Sequence, residues 1–229
     1  MPAALLRWGM QTTAAAQAST TASVVIVDYG LGNLRSARRG LERAGATVAV
    51  SADPAALERA DGIVLPGVGA FSEGMENAGP FRAPLAAAAD AGRPILGICL
   101  GMQMLLDGSE EAVHVGEGDV DGLGFIPGMN RRFDLDAPVP HMGWNQLSVP
   151  RPHPLLTGVE AAYAYFVHSY YAAPEAPEAV LATSTYGEAF PAVIGAPERP
   201  IFGTQFHPEK SGATGLQILR NFVALCAEA

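Results

Sequence analysis

Two groups of residues in this sequence have types and spacing suited to covalent chemistry. The first is Gly97-Ile98-Cys99-Leu100-Gly101, with glycines two positions either side of a cysteine. Pro94 to Ile98 reads as a short buried strand, and Leu100-Gly101-Met102-Gln103-Met104-Leu105-Leu106 has helical spacing. A sharp strand-to-helix turn needs this pattern, because bulk at either flanking position obstructs it. The turn holds its middle residue up, exposed, at the carboxyl edge of a sheet. There the dipole and free N–H groups of a helix start favour thiolate over thiol. A cysteine by itself more often packs as a buried apolar group. The two glycines and the change of period point instead to a nucleophile.

The second group is His207-Pro208-Glu209. Proline biases His207 to an extended backbone, where alternate side chains point the same way. Glu209 can then lie beside the imidazole and fix its tautomer, which is the orienter-to-base half of a catalytic triad. A His-x-Glu pair alone is commonplace, and it lacks further ligands at useful spacing for a metal. Joined to Cys99 it becomes specific. The other histidines, at positions 114, 141, 153 and 168, read as structural or exposed.

The elements that must position these groups are those of an α/β domain. Val24-Val25-Ile26-Val27-Asp28 is a buried strand by its β-branched run. Tyr29 to Asn33 forms a tight loop, and Asn33 caps a helix that runs to Ala44 and is stopped by Gly45. Arg35, Arg38, Arg39 and Arg43 give that helix a basic face, either solvated or a docking face. Thr47–Val50 is a second strand, Asp53-Pro54 starts a short helix, and Ile63-Val64-Leu65 is a third strand ending at a Pro66-Gly67-Val68-Gly69 loop. Strand and helix in alternation predict a mostly parallel sheet with helices on both faces, three layers in all. Ligands bind such sheets beyond the strands' carboxyl ends. The Pro66–Gly69 loop and Cys99 both end strands, so they belong at that edge.

From about Gly122 the pattern changes. Gly124–Ile126, Gln146–Val149, Tyr163–Val167, Ala179–Ser184, Ala192–Ile194 and Ile201–Gln205 read as the rest of the central sheet plus antiparallel additions. A final helix from about Gly215 places Leu216, Leu219, Val223 and Cys226 near one face, with Cys226 in the core. There is no internal repeat and no second domain. Residues 1–23 contain one basic residue and no acid, and polar residues break up any apolar run after Leu5-Leu6. That fits neither a secretory signal nor a strong transit peptide. They read as a disordered extension, leaving 24–229 as a single domain.

Composition narrows the function. A net charge of −9 argues against nucleic acid or an anionic membrane as partner, and no stretch of 18 apolar residues is present. Two cysteines give neither a disulfide scaffold nor a zinc cluster, which fits a reducing, cytoplasmic setting. No cofactor or metal is expected.

Gly97-Ile98-Cys99-Leu100-Gly101-Met102-Gln103 together with His207-Pro208-Glu209 resembles the class I (triad) glutamine amidotransferases. Four more stretches resemble, within that class, the glutaminase subunits of imidazole glycerol phosphate synthase: Asp28 to Asn33, Pro66 to Phe71, Pro140-His141-Met142-Gly143-Trp144-Asn145, and Phe166-Val167-His168-Ser169-Tyr170. The likeness runs from about Val24 to Leu225.

It implies a flavodoxin-like α/β fold and hydrolysis of glutamine to glutamate and ammonia. Ammonia would pass to a (β/α)8-barrel cyclase in a heterodimer. The cyclase acts on a phosphoribulosyl-formimino aminoimidazole carboxamide ribonucleotide in histidine biosynthesis. It yields imidazole glycerol phosphate and an aminoimidazole carboxamide ribotide. By match, Cys99 is nucleophile, His207 base and then acid, and Glu209 its orienter. Backbone N–H groups of Leu100 and of the Pro66–Gly69 loop, at Val68, would form the oxyanion hole. Gly67, Gln103, Glu111, Ser169 and Tyr170 match substrate-holding positions, the last two through main chain. Asn33, Met142, Trp144, Tyr165 and Lys210 match positions facing the cyclase. Asp107-Gly108 departs from the bulky apolar residue expected there. Competing readings are a glutaminase of another synthase, such as that of pyridoxal phosphate, a cysteine peptidase of similar fold, and an inactive regulatory scaffold.

Overall fold

A computed structural model of the chain describes residues 21–111, 116, 118 and 120–229. Its first strand, β1 (Ser23–Val27), is followed by α1 (Leu34–Ala44) and β2 (Thr47–Ser51). Asn33 Oδ1 accepts the Ser36 N–H, and Gly45 closes α1 at φ 104°, a conformation that glycine adopts without a Cβ clash. A 3-10 turn, Pro54–Arg59, begins under an Asp53 cap. It leads to β3 (Gly62–Gly67), α2 (Phe71–Asn77), α3 (Arg82–Asp90), β4 (Ile95–Cys99) and a one-turn α4 (Leu100–Gln103).

The second half contributes β5 (Gly108–Ser109), β6 (Gly128–Arg132), β7 (His141–Gln146), β8 (Tyr163–His168) and β9 (Tyr170–Pro174). Then come β10 (Val180–Tyr186), β11 (Glu188–Gly195), β12 (Ile201–Thr204) and a C-terminal helix, Gly212–Glu228.

The main sheet has the order β10-β11-β12-β4-β3-β1-β2. β2, β1, β3, β4 and β12 are parallel, and β11 and β10 extend them antiparallel. Neighbours along one strand divide between two cores. Val24 and Ile26 face one core with Leu41, Leu219 and Phe222, while Val25 and Val27 face another with Phe71, Met75 and Leu85. Burial on both faces is why these strands read as continuous apolar runs. The expected three-layer fold is present, with α1 and the C-terminal helix on one side and α2 and α3 on the other.

Several expected boundaries move. Ala22 is buried and its carbonyl accepts the Thr47 N–H, so the domain starts before Val24. The rest of the proposed extension, through residue 20, lies outside the described residues, as does His114. Pro66 and Gly67 continue β3, pairing with Ile98 and Cys99, and only the following residues loop. The expected helix to Leu106 stops at Gln103. Leu105 and Leu106 N–H groups take i−3 carbonyls, and the Asp107 N–H donates to Gly128 instead. Asp107 Oδ2 accepts the Gly128 N–H, so the unexpected polar residue fastens this helix end to β6.

Gly124–Ile126 is not a strand. The N–H groups of Leu123 to Ile126 donate to carbonyls of Met104, Leu105 and Leu106. The Gln146–Val149 strand lies upstream as β7, because its ladder with β8 pairs His141 with His168 and Gln146 with Tyr163. β7 and β8 form a separate ribbon, and β5, β6 and β9 a second small sheet. In the C-terminal helix Ile218 and Phe222 join Leu219, Val223 and Cys226 in the core, while Leu216 is only half-buried. Among the described residues, no helix is long and apolar enough to cross a membrane.

Candidate active site

Parallel register brings three strand ends together. Gly67 of β3 lies opposite Cys99 of β4, and Ile98 lies opposite Thr204 of β12. The chain beyond each strand therefore emerges at one edge, placing Val68, Cys99 and the Gln205–His207 segment side by side. Cys99 has φ 54° and ψ −107°, a strained backbone for a non-glycine residue and the geometry of a nucleophile elbow. The flanking glycines are required by contact. A Cβ at Gly97 would sit 2.5 Å from the Gly101 carbonyl oxygen, and one at Gly101 would sit 1.8 Å from that of Leu65.

Cys99 is less open than the elbow pattern suggests, at 7% exposure. Its Sγ lies 3.9 Å from the Val167 carbonyl oxygen and 3.8 Å from Gln205 Nε2. With only four residues in α4, little macrodipole accumulates, and the free N–H groups of its single turn carry the local field.

His207 Nδ1 lies 3.0 Å from Glu209 Oε1, with both side chains almost fully buried. His207 is extended, as expected, but Glu209 sits in a 3-10 turn, Pro208–Lys210. The turn, rather than strand alternation, brings the carboxylate back to the ring. The other ring nitrogen, Nε2, has no hydrogen-bond partner among the described residues. Burial alone would push the imidazole down, but the neighbouring Cys99 sulfur and the Glu209 carboxylate outweigh it and hold His207 up at about 9. Both neighbours favour the protonated form of the ring.

A cavity of about 380 Å³ opens over Cys99. Val68, Leu100, Gln103, Glu111, Ser169, Tyr170 and His207 all line it. Gly67 does not; it is packed behind the wall, where a Cβ would meet Tyr29 Oη at 2.5 Å and Leu100 Cβ at 2.7 Å. Tyr29 Oη donates to the Pro66 carbonyl at 2.5 Å. Burial, with Cys99 adding to it, pushes the phenol well above its ordinary range, so it remains a neutral donor there. Gln103 Nε2 donates to the Tyr170 carbonyl at 2.8 Å. Glu111 Oε2 accepts the Phe71 N–H at 2.9 Å, supplying the cap that Ala70 does not give α2.

Sequence reading left out Gly69, Pro140, Val167 and His168 from this wall. His168 is a buried structural histidine as expected, yet it also faces the cavity. Its Nδ1 donates to the Tyr170 carbonyl at 2.9 Å, and its Nε2 lies 3.2 Å from His141 Nδ1. Burial pushes it down to about 3; the Tyr170 carbonyl opposes that, while His141 and His207 add to it. Gln205 was also missed. Its signal was its place at the end of a strand, two residues before His207.

The five positions matched to a partner surface cluster in part. Met142 and Trp144 project from β7, exposed, and Trp144 packs on Tyr165 of β8 with ring centres 5.9 Å apart. Lys210 is exposed beside Glu209. Asn33 caps α1, which packs on the Pro208–Lys210 turn through Gly40, where a Cβ would lie 3.6 Å from Glu209 Cβ.

The family model for class-I glutamine amidotransferases matches residues 25–226. The chain is 65% identical over 219 residues to imidazole glycerol phosphate synthase subunit HisH of Halobacterium salinarum, covering 96% of this chain and 100% of that one. It is 49% identical over 208 residues to the subunit of the same name from Geobacillus kaustophilus, covering 87% and 95%. Among solved structures, a glutamine amidotransferase superposes with TM-score 0.69 at 19% identity, covering 89% of this chain and 98% of that one. PurLQS from Thermotoga maritima superposes with TM-score 0.63 at 18% identity and the same coverage. These two speak for the fold. With its elbow, its buried His-Glu pair and these likenesses along nearly its whole length, the chain belongs to the class-I glutamine amidotransferases, within the HisH subunits of imidazole glycerol phosphate synthase.

Proposed function

We propose that this chain hydrolyses glutamine to glutamate and ammonia through Cys99, His207 and Glu209. It delivers the ammonia to a (β/α)8-barrel cyclase that makes imidazole glycerol phosphate in histidine biosynthesis. The observation that carries the reading is the convergence of the strained Cys99 elbow and the His207–Glu209 pair on one cavity.

The thiolate of Cys99 attacks the amide carbon, and the carbonyl electron pair moves to oxygen. Backbone N–H groups at Leu100 and Val68 receive that oxyanion. His207 gives its proton to the amide nitrogen as the C–N bond breaks, releasing ammonia and leaving a thioester. The now neutral imidazole takes a proton from water, whose oxygen attacks the thioester. Collapse returns the electron pair to Sγ, and glutamate leaves. Glu209 holds the ring on Nδ1 throughout, so that Nε2 faces the reacting atoms. Gln103, Glu111 and the main chain of Ser169 and Tyr170 suit the polar ends of a small amide substrate. Two free thiols and a biosynthetic family fit a reducing cytoplasm.

The partner surface is the ribbon face with Met142, Trp144 and Tyr165, together with Lys210 and the start of α1 at Asn33. The test is Cys99→Ala in the complex with the cyclase. Glutamine-driven product formation should vanish while ammonia-driven formation persists. Retained glutamine-driven synthesis would overturn the assignment of Cys99.

A further inference from the structure

Gln205 lies between the end of β12 and His207 and is fully buried, at 0% exposure. Burying a primary amide is costly unless its polar atoms are paired. Two side-chain contacts surround this one. Gln103 Nε2 is 3.3 Å from Oε1, and Cys99 Sγ is 3.8 Å from Nε2.

The polarity of this chain follows from its far end. The Tyr170 carbonyl can only accept, so the Gln103 atom 2.8 Å from it is the amide nitrogen. That same nitrogen approaches Gln205, so the atom it meets there is an acceptor oxygen. The amide nitrogen of Gln205 is then the atom turned to Cys99. An N–H donor stabilises a thiolate more than a thiol or a thioester, because the charge on sulfur strengthens the bond. The other groups about Sγ are of two kinds. The Val167 carbonyl accepts from a thiol and disfavours the thiolate, whereas the His207 cation favours it.

We propose that Gln205 is a further catalytic residue whose side-chain N–H donates to Cys99 Sγ, supporting the thiolate before attack and again as it departs from the thioester. This rests on the reading of Cys99 as nucleophile. In the departure step the C–S bond breaks and its electron pair returns to Sγ, where the Gln205 N–H meets it. No proton is transferred by Gln205. It supplies a fixed dipole, held in place by Gln103.

The test compares wild type, Gln205→Leu and the shorter Gln205→Asn as full-length chains, with iodoacetamide as probe. Alkylation of Cys99 is followed by mass spectrometry of its peptide. At pH 7 the rate should fall about tenfold in both variants, as expected for losing a hydrogen bond to a charged group. The gap should close as pH rises. Rates within twofold of wild type across that range would overturn the proposal. In parallel, wild-type complex fully alkylated at Cys99 should hydrolyse no glutamine; persistent hydrolysis would instead sink the nucleophile reading itself. Should both variants misfold, side-chain amide NMR of wild type decides. The Gln205 N–H signals should shift with ionisation of the Cys99 thiol, and signals that stay still would overturn the donor assignment.

Discussion

The carbonyl of Tyr165 accepts the backbone N–H of His207 at 3.1 Å. The Tyr165 N–H in turn donates to Ser211 Oγ at 2.9 Å, and that hydroxyl donates to the His207 carbonyl at 2.7 Å. Three hydrogen bonds thus clamp the proposed base to β8, in the ribbon whose outer face carries Trp144. Ser211→Ala would strand the Tyr165 N–H, while the His207 carbonyl would keep only the Lys210 N–H at 3.0 Å. We expect a stability loss of roughly 1–3 kcal/mol and a lower kcat with KM little changed. Thermal unfolding and steady-state glutamine hydrolysis would check both, and an unaltered kcat would remove the clamp from the mechanism.

Partner binding at that ribbon should reach the site by the same clamp. The isolated chain is expected to hydrolyse glutamine slowly, the complex faster, and the complex with cyclase substrate fastest. The peptide at Val68-Gly69 is the candidate for the moving part. Gly69 has φ 110°, and a Cβ there would meet only Glu73 Oε2 at 3.7 Å, whereas Gly67 is wedged against Leu100. Hydrolysis by the isolated chain at the rate of the loaded complex would mean there is no switch.

Glu209→Gln should reduce turnover less than His207→Ala. The amide still fills the space beside Nδ1 and leaves a base in place, while removing the imidazole removes proton transfer, typically ~10²–10⁴-fold. Equal losses in kcat, with both variants folded, would contradict the division of roles.

The two buried histidines should tilt stability in opposite directions. His207 is raised from 6.5 to about 9, so its contribution is complete below pH 6.5 and is lost as pH climbs through about 9. His168 is lowered from 6.5 to about 3, so its contribution is complete above pH 6.5 and is lost as pH falls toward about 3. Melting temperature against pH should therefore flatten on the alkaline side in His207→Gln and on the acid side in His168→Gln. The reverse pattern would mean the burial and charge arguments are misassigned.

Gly101→Ala should prevent folding or cost several times the usual point mutation, since its Cβ would enter the Leu65 carbonyl 1.8 Å away. Gly79→Ala, with nothing within 4 Å of the added atom, should stay within about 0.5 kcal/mol of wild type. Chemical denaturation of the pair separates steric necessity from a general intolerance of substitution.

The parallel core, the Cys99 elbow and the pairing of Glu209 with His207 were legible in the sequence because each is a local pattern. A short run rich in β-branched residues reads as a central strand, and a glycine two residues either side of a cysteine constrains one turn. The Asn33 and Gly45 caps were legible for the same reason. The second half was read less well. Gly124–Ile126 looked like a strand from its apolar residues, yet its N–H groups were claimed by the carbonyls of Met104 to Leu106, which no local pattern records. β6 and β9 are polar or alanine-rich, and they are strands because Asn130 pairs with Ala172 and Arg132 with Tyr170 across more than thirty residues.

Register was decided by tertiary structure alone. Side-chain period tells which face a strand buries, but the alignment of Gly67 with Cys99 and of Ile98 with Thr204 depends on how whole strands stack. That alignment brings Gln205 to Cys99, while the separate β7–β8 ribbon sets His168 against the cavity. A nucleophile can announce itself through its turn. The groups that surround it come from the ends of the central strands, from α4 and from the separate β7–β8 ribbon, and only their tertiary packing fixes the distances between them.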